Sequence, residues 1–555
     1  MKAAQVLMEI LRAEGVRYLF GNPGTTELTF LDALPDSGLE YVLALQEATA
    51  VAAADGYAQA SGTVGVVNLH VAPGMANGLS ILHSACRAKT PLVVTAGQQD
   101  SRFLFQDPIL SGDLVQLTEQ FTKWSYEIRR AEEAPVALRR ALALAMTPPT
   151  GPVFLSLPMD LVTHAVEDSG APSPAVATRT LPDPAALSAA AETLSRATAP
   201  LIVAGDGVAR SDAVGELVAL AELIGARVYG EPVYRRTNFP GDHPLWRGGL
   251  FPSAPGVRKV LNDADCALIV GAAVFTWFTY APGEPFPPGL VVIQLDDDAR
   301  EIGKNYPVTQ GILADPKSTL VALARQVGAL MTEAARAAAR ARTAEIAKAK
   351  AAYQKGLAAT AEADKERTPI SAAYLMHTLA RVVPDDAIIV DETASSIRYV
   401  LGYLPFKYAG SFYGSKTGTL GWGLGAALGV QLANLRRKVV ATIGDGSLMY
   451  APQALWTAAH YHLPITYVVP NNASYAILKL GMLGMGLDSA KRGIYPGMDL
   501  VEPEIDYVAL ARSMGVEAER VERPQDLQGV LEKMLAAGGP TLVDVAIDRS
   551  IKPAL

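Results

Sequence analysis

The chain has 555 residues, which is too many for one hydrophobic core, so we expect three or four domains. Half of the residues are apolar, 19% are charged and the net charge is −8, an ordinary balance for a soluble globular protein. No basic patch favours a nucleic-acid partner, and no apolar run reaches the ~18 residues needed to cross a membrane. The first eleven residues form an amphipathic pattern carrying Glu9, which predicts a helix and not a signal peptide.

The two cysteines, Cys86 and Cys266, lie far apart, each in an apolar stretch. We therefore expect two small buried residues, with neither a disulfide nor a cysteine metal site. A cytoplasmic location follows from these features as an expectation.

Short β-rich apolar runs alternate with Ala- and Leu-rich helical stretches along the whole chain. This alternation predicts an α/β fold with mainly parallel sheets covered by helices. The predicted strands are Tyr41–Leu45, Val64–Leu69, Pro91–Thr95, Leu201–Ala204, Ala267–Val270, Val291–Leu295, Ile388–Val390, Val439–Ile443, Ile465–Val469 and Leu542–Val545.

Two changes in composition divide the chain. Residues 165–184 are rich in Pro, Ser and Ala, as is typical of a linker. Residues 331–368 are rich in Ala and charged residues, which predicts a solvated helix followed by a connection. Three α/β domains result, at about 1–165, 185–330 and 369–555.

The strongest chemical signal is Gly444-Asp445-Gly446-Ser447 together with Asn471-Asn472. Each group follows a predicted strand, and the carboxyl ends of parallel strands meet at the edge where ligands bind. The carboxylate of Asp445, the amide oxygen of Asn472 and a backbone carbonyl near Ser474 would form an oxygen half-shell for Mg²⁺ with room for phosphate oxygens. Gly446 lets the backbone approach the phosphates, and Ser447 can donate to them.

A Gly-Asp-Gly tripeptide is more often an ordinary turn. We interpret the second copy, Gly205-Asp206-Gly207, in that way, because no Asn-Asn pair follows it.

The pattern Gly-Asp-Gly followed by Asn-Asn is similar to the signature of thiamine-diphosphate (ThDP) enzymes. The resemblance covers nearly the whole chain and is greatest to the benzoylformate decarboxylase family. It is carried by Phe20–Gly24, Leu43–Ala48, Asp55–Ser61, Asn68–His70, Thr95–Gln99, Lys123–Glu127 and Ala454–Ala459. The resemblance implies a pyrimidine-binding, a middle and a pyrophosphate-binding domain, in that order, with ThDP and Mg²⁺ as cofactors.

Glu47 follows a predicted strand and opens a helix rich in Ala and Val. A carboxylate that enters an apolar helix face is costly unless it has a partner, although a glutamate at a helix start is also favoured by the macrodipole. The resemblance implies that Glu47 bonds the aminopyrimidine nitrogen and drives its imino tautomer.

His70 ends the strand Val64–Leu69 and so lies at the ligand edge. A single histidine is more often structural. The resemblance implies that His70 faces the substrate carboxylate and moves protons, whereas acetolactate-synthase-like relatives usually lack a histidine here. It also places Thr25 where the family has a substrate-contacting serine.

The stretch Gly418–Gly425 is glycine-rich but lacks the Gly-x-Gly-x-x-Gly spacing of a dinucleotide loop. The resemblance implies instead that the Gly418 carbonyl accepts from the cofactor's amine and that Leu420 is the wedge that bends ThDP. It further implies that Ser395 touches the diphosphate and that Ser474 and Tyr475 belong to the cofactor site.

The chain departs from the family in the middle domain. The loop 274–280 carries Phe278 where the family has a second active-site histidine, and His243 is the only middle-domain histidine in the sequence. The sequence leaves open whether this domain binds FAD, as it does in some synthase relatives.

These features together predict a ThDP/Mg²⁺-dependent lyase. We expect non-oxidative decarboxylation of a 2-oxo acid with an aryl or bulky apolar side chain to an aldehyde, and carboligation of the same enamine intermediate with an aldehyde as a side or main activity. The alternatives are an acetolactate-synthase-like carboligase or 2-hydroxyacyl lyase, and a non-catalytic ThDP-binding protein. The resemblance implies a homodimer or homotetramer with active sites between subunits.

Overall fold

The computed structural model describes residues 1–173, 176–278 and 280–551. Residues 174 and 175 of the predicted linker and Thr279 of the predicted 274–280 loop lie outside the described residues. The chain forms two compact units. One comprises residues 1–176, 364–398 and 414–555, and the other comprises residues 177–363 and 399–413.

The first sheet of the larger unit has six parallel strands in the order β2-β1-β3-β4-β6-β5. Its central strands are buried on both faces, as expected where helices cover a parallel sheet. The strands are β1 (Tyr18–Gly21), β2 (Glu40–Leu43), β3 (Gly65–Leu69), β4 (Leu92–Gln98), β5 (Ser125–Glu127) and β6 (Val153–Pro158). The helices are α1 (Ala3–Ala13), α2 (Leu28–Leu31), α3 (Glu47–Ser61), α4 (Val71–Ala88), α5 (Leu114–Thr118) and α6 (Glu133–Met146).

The smaller unit contains the second sheet, with six parallel strands in the order β12-β11-β10-β7-β8-β9. Two of its helices begin with an Asp-Pro pair, in which Asp183 or Asp315 caps the helix and the proline occupies its first turn. The strands are β7 (Pro200–Ala204), β8 (Arg227–Gly230), β9 (Trp246–Gly249), β10 (Cys266–Val270), β11 (Val291–Asp296) and β12 (Gln310–Leu313). The helices are α7 (Pro184–Arg196), α8 (Asp206–Arg210), α9 (Val214–Ile224), α10 (Ala254–Leu261), α11 (Pro316–Leu330) and α12 (Glu333–Ala363).

The third sheet also has six strands, in the order β14-β13-β15-β16-β18-β17. The pairs from β13 to β17 are parallel. The strands are β13 (Ile388–Glu392), β14 (Phe412–Gly414), β15 (Val439–Ile443), β16 (Thr466–Asn471), β17 (Glu517–Val521) and β18 (Thr541–Ala546). The helices are α13 (Ala372–Val382), α14 (Ile397–Tyr403), α15 (Trp422–Ala433), α16 (Asp445–Leu448), α17 (Ala454–His460), α18 (Ala476–Gly484), α19 (Asp488–Lys491), α20 (Tyr507–Ser513) and α21 (Pro524–Ala536).

Helices α3 and α15 pack backbone to backbone and join the first and third sheets within the larger unit. Glycines make this approach possible: a Cβ on Gly429 would lie 1.8 Å from the Ala53 oxygen, and one on Gly56 would lie 2.3 Å from the Ala426 oxygen. Gly425, the last glycine of the stretch that lacks the dinucleotide-loop spacing, packs in the same way, since a Cβ on it would lie 2.9 Å from the Thr49 oxygen.

All ten predicted strands are present in the three sheets, and the α/β fold class is confirmed. The Ala- and charge-rich segment forms α12, a long helix in which only Ala339, Lys350 and Ala361 are buried. No helix within the described residues is long and apolar enough to cross a membrane. Cys266 is buried as predicted, but the prediction for Cys86 is wrong, because this residue near the end of α4 is partly exposed.

Candidate active site

Three polar side chains follow three neighbouring strands of the first sheet. Asn22 follows β1, Glu47 opens the helix after β2, and His70 follows β3 as the N-cap of α4. Since β2, β1 and β3 are adjacent and parallel, these side chains emerge at one edge of the sheet.

His70 is held by a buried carboxylate. Its Nδ1 lies 2.8 Å from Oε2 of Glu27, whose side chain has no exposed surface. The other oxygen of Glu27 accepts hydrogen bonds of 2.8 Å from the Thr26 hydroxyl and 2.8 Å from the Gly97 N–H. A carboxylate on Nδ1 orients the ring and leaves Nε2 as the nitrogen that can face a substrate.

The backbone beside His70 has no room for a larger residue. A Cβ on Gly24 would lie 1.9 Å from His70 Nδ1. Thr26, whose hydroxyl lies 3.4 Å from Nδ1, is the threonine that contacts the imidazole. Thr25, the predicted substrate-contacting hydroxyl, is exposed at the start of the same short turn.

Glu47 has the partners that its burial requires. Its side-chain oxygens accept hydrogen bonds from two amides, Asn77 at 3.0 Å and Asn22 at 3.4 Å. Both bonds satisfy oxygens that burial removes from water. The preceding residue, Gln46, caps α3 by accepting from the Thr49 N–H at 3.1 Å.

Glu47 and His70 both lie close to Gly74. A Cβ on this glycine would lie 3.1 Å from Oε1 of Glu47 and 3.1 Å from Cβ of His70. The first sheet thus brings a carboxylate and an imidazole, far apart in sequence, to one small region.

The third sheet forms a second polar edge in the same way. The segments after β13, β15 and β16 carry Ser395, Gly444–Ser447 and Asn472–Tyr475, and these three strands are adjacent and parallel. A cavity opens at this edge. Its lining includes Ser395, Leu420, Asp445, Gly446, Ser447, Ser474 and Tyr475.

Asp445 carries an unsatisfied oxygen at this edge. Oδ1 accepts from the Gly446 N–H at 2.9 Å, but the buried Oδ2 has no hydrogen-bond partner within the described residues. Burial raises the pKa of this carboxyl to about 6, while surrounding N–H groups oppose the shift. A buried carboxylate oxygen without a partner fits a cation, so the residues present suit Mg²⁺.

The described residues contain no group of three or more His, Cys, Asp or Glu side chains suited to a metal. The predicted half-shell is of a different kind, because it combines one carboxylate with an amide and a carbonyl. Asn472 is buried, and its Oδ1 accepts from the Ser474 N–H at 3.0 Å. Ser474 is held in turn by a bond of 2.9 Å from its hydroxyl to the Met498 oxygen.

The predicted cofactor loop lies before α15. Gly418 has a φ of +71° and Gly421, the N-cap of α15, has a φ of +88°, conformations that favour glycine. Leu420 between them lines the cavity, whereas Gly418 and Asn472 do not belong to its lining.

The sequence interpretation missed Glu27, Asn22 and Asn77. Glu27 could have been found as the one charged residue of the sequence between Arg17 and Asp32, but its partner lies far along the chain. The amides gave no local signal.

Comparison with known proteins places this geometry in a class. Three domain models of the thiamine pyrophosphate enzyme family match the chain. The N-terminal TPP binding domain matches residues 1–113, the central domain matches residues 187–323 and the C-terminal TPP binding domain matches residues 393–545. The chain is therefore an enzyme of the ThDP-dependent class.

Similar proteins indicate which members of the ThDP-dependent class this chain resembles. Benzoylformate decarboxylase of Pseudomonas aeruginosa is 35% identical over 97% of both chains. A probable acetolactate synthase large subunit of Methanocaldococcus jannaschii is 28% identical over 99% of this chain and 92% of its own. The crystal structure of benzoylformate decarboxylase from Polynucleobacter necessarius matches with a TM-score of 0.89 at 30% identity over 100% of both chains.

A ThDP-dependent 4-hydroxybenzoylformate decarboxylase of Rhodococcus jostii matches with a TM-score of 0.86 at 32% identity, over 99% of this chain and 100% of its own. The chain belongs to the ThDP-dependent 2-oxo acid decarboxylase and carboligase family, and it resembles the carboxy-lyase benzoylformate decarboxylase.

Proposed function

We propose that this enzyme decarboxylates 2-oxo acids with an aryl or bulky apolar side chain to aldehydes, using ThDP and Mg²⁺. The observation that carries this proposal is the bond of 2.8 Å between His70 and the buried Glu27, beside Glu47. An oriented imidazole at this place suits a substrate carboxylate and a proton transfer. The benzoylformate decarboxylases among its relatives support the substrate class.

ThDP, when bound, supplies the electron sink for the bond next to the carbonyl. Asp445 Oδ2, the amide of Asn472 and the carbonyl of Ser474 would hold Mg²⁺. Ser395, Gly446, Ser447 and Tyr475 would surround the diphosphate. Gly418 would position the pyrimidine and Leu420 would hold the bend of the cofactor, as the family resemblance implies.

Proton handling is assigned to two groups of the chain. Glu47, held in place by hydrogen bonds from the amides of Asn22 and Asn77, would exchange a proton with the aminopyrimidine nitrogen. His70 would face the substrate carboxylate through Nε2 and deliver a proton later. Thr25 would add a hydroxyl to the pocket once the site is assembled.

The test is a decarboxylation assay over benzoylformate, 4-hydroxybenzoylformate, phenylpyruvate and pyruvate, with ThDP and Mg²⁺ present. We expect aldehyde from the aryl substrates and a large loss of activity in His70→Ala. Acetolactate from pyruvate as the main product, with His70→Ala unaffected, would instead indicate an acetolactate-synthase-like carboligase.

Carboligation is a second candidate activity. The sequence has Phe278 in place of the family's second histidine, so the proton transfer that ends decarboxylation has one imidazole fewer. If the species left after loss of CO₂ is protonated more slowly, an added aldehyde has more time to react with it. The assay should therefore also measure 2-hydroxy ketone formed in the presence of acceptor aldehyde.

We further propose a homodimer or homotetramer with active sites shared between subunits. Within the described residues, the lining of the cavity at the third sheet comes from residues 393–478 and does not include Glu47. Large apolar side chains near it are exposed, including Tyr450 at 57% and Leu478 at 51%. A second copy of the chain would cover them and bring its own Glu47.

Mixing two inactive variants tests the shared site. A hybrid of Glu47→Gln and Asp445→Ala chains contains one site with both changes and one with neither, so part of the activity should return. Two copies of the same variant, treated identically, are the control. No recovery after proven subunit exchange would contradict the shared site.

The domain limits that accompany this proposal are 1–165 for pyrimidine binding, 185–330 for the middle domain and 369–555 for pyrophosphate binding. We infer a cytoplasmic location, a small-molecule 2-oxo acid and aldehyde as partners besides further copies of the chain, and neither a nucleic-acid nor a membrane partner.

A further inference from the structure

Glu392 is a buried carboxylate at the end of β13, the strand that precedes Ser395. Its Oε1 accepts a hydrogen bond of 2.7 Å from the Gly421 N–H, and its Oε2 accepts one from the Gly423 N–H. These two glycines end the loop that carries Gly418 and Leu420 and begin α15. The carboxylate therefore fastens that loop to the sheet.

The same residue also contacts the Gly-Asp-Gly turn. The Glu392 carbonyl accepts from the Gly444 N–H at 3.1 Å, and the Ser447 hydroxyl bonds its carboxylate. One residue thus connects the strand before Ser395, the loop that bears Leu420, and the turn that bears Asp445.

The backbone of Gly423 packs closely against the Glu392 side chain. A Cβ on Gly423 would lie 2.9 Å from Cβ of Glu392 and 3.1 Å from its Oε2. Burial raises the pKa of the carboxyl to about 8, against the N–H groups that favour its ionised form. A buried carboxylate is costly, so a purely apolar residue would serve the core better if packing were the only requirement.

We propose that Glu392 is a positioning residue for the cofactor. It sets the Leu420 loop at a fixed distance from the diphosphate-binding turn, so that both ends of ThDP meet preformed contacts. The inference deepens the proposed function and rests on its assignment of the cofactor site.

The alternative role for a carboxylate at a helix start is capping. The two N–H donors belong to the N-cap and the second residue of α15, and an anion there stabilises a helix. If Glu392 were only a cap, its substitution would lower the free energy of unfolding equally with and without cofactor. A positioning residue changes how tightly and how productively ThDP is held.

The experiment compares wild type with Glu392→Gln, in which an amide NH₂ must face one of the two backbone donors. ThDP affinity is measured by calorimetric titration in the presence of Mg²⁺, and exchange of the thiazolium C2 proton into deuterated water is followed by NMR. We expect a Kd about tenfold or more higher, as is typical for loss of an outer partner of a ligand site, and slower exchange in the bound cofactor.

Gly423→Ala provides a second route to the same effect, because its methyl group displaces the carboxylate without changing charge. Two control variants make the same kinds of change, acid to amide and glycine to alanine, at positions away from the Glu392 contacts. Asp391→Asn removes the neighbouring buried carboxylate of β13, which accepts from Thr393 and Thr442 at 2.7 and 2.8 Å. Gly529→Ala adds a methyl group to a helix of the same domain in open space.

We expect both controls to bind ThDP with wild-type affinity, whatever their effect on thermal stability. Wild-type affinity and exchange in Glu392→Gln and Gly423→Ala would overturn the inference. Neither readout involves a substrate, so an error in the proposed substrate class leaves the result intact. A wild-type chain that binds no ThDP would overturn both proposals.

Discussion

The carboxylate of Asp55, on α3, accepts a hydrogen bond of 2.5 Å from the indole Nε1 of Trp422, the first residue of α15. Both side chains are fully buried, and the other oxygen of Asp55 accepts from the Gln59 amide at 3.0 Å. This bond joins the helix that begins with Glu47 to the helix that follows the Leu420 loop. The first and third sheets are therefore linked by specific polar contact as well as by glycine packing.

Asp55→Asn should destabilise the protein. The amide presents an NH₂ group to one of two donors, and a buried donor left without an acceptor costs about 1–3 kcal/mol. Urea unfolding of the apo-protein measures the loss. Asp36→Asn, at an exposed position, makes the same chemical change and should leave the midpoint unaltered. Equal midpoints for all three proteins would show that the Asp55–Trp422 bond adds nothing to stability.

Glu27→Gln should lower decarboxylation while leaving cofactor binding intact. Without the carboxylate on Nδ1, His70 loses its fixed orientation, and we expect kcat/KM to fall by about 10–100-fold. Steady-state kinetics with benzoylformate provide the measurement. Glu127→Gln is the matched control, since Glu127 is a carboxylate of the same sheet bonded by Gln98 and Ser156.

A double mutant tests whether the two residues act together. Adding Glu27→Gln to His70→Ala should cost almost nothing further, because the imidazole it orients is already absent. Additive losses would mean that Glu27 acts on the reaction by another route.

Asp445→Asn should abolish the stabilisation that the cofactor provides. The variant removes the charge that would hold Mg²⁺, yet it also removes a buried carboxylate whose Oδ2 has no protein partner. We expect an apo-protein at least as stable as wild type. A ligand at 100 times its Kd stabilises by about 2.7 kcal/mol, and this gain should vanish. Thermal melts with and without ThDP and Mg²⁺ decide the matter; an undiminished shift would refute the metal assignment.

Glu47→Gln should bind ThDP but fail to activate it. The amide has the same shape but cannot carry the proton, and general acid–base contributions are typically ~10²–10⁴-fold. NMR of the thiazolium C2 proton in deuterated water measures this step without substrate. Asn77→Asp, which keeps the volume beside Glu47 while adding a like charge, should slow exchange less than Glu47→Gln. An unchanged rate in Glu47→Gln would rule out the role assigned to this glutamate.

Phe278→His should shift the products from ligation toward aldehyde. Phe278 is 63% exposed, so the change requires no repacking of a core. An added imidazole would supply the proton donor that the family has at this position. Product ratios with one 2-oxo acid and one acceptor aldehyde provide the measurement, with Phe278→Asn as a control that adds polarity without a comparable acid. Identical ratios in all three proteins would mean that protonation comes from another group.

Much of the polar edge of the third sheet could be predicted from the sequence, because the motifs that form it are local. The strand Val439–Ile443 followed by Gly444–Ser447 specifies a buried strand and a tight turn within nine residues, and Asn471-Asn472 repeats the arrangement after the next strand. Parallel pairing of β15 and β16 then suffices to bring the two turns together.

The sequence alone determined the α/β class, the strands and the polar turns, because side-chain periodicity and turn chemistry act over a few residues. The tertiary structure decided which of those turns meet. Glu27 contacts His70 because β1 and β3, which precede them, are adjacent in the order β2-β1-β3. Glu392 contacts Gly421 and Gly423 because α15 starts against the end of β13. Such partners are set by sheet order and helix packing, which are properties of the whole domain and leave no pattern in any one segment.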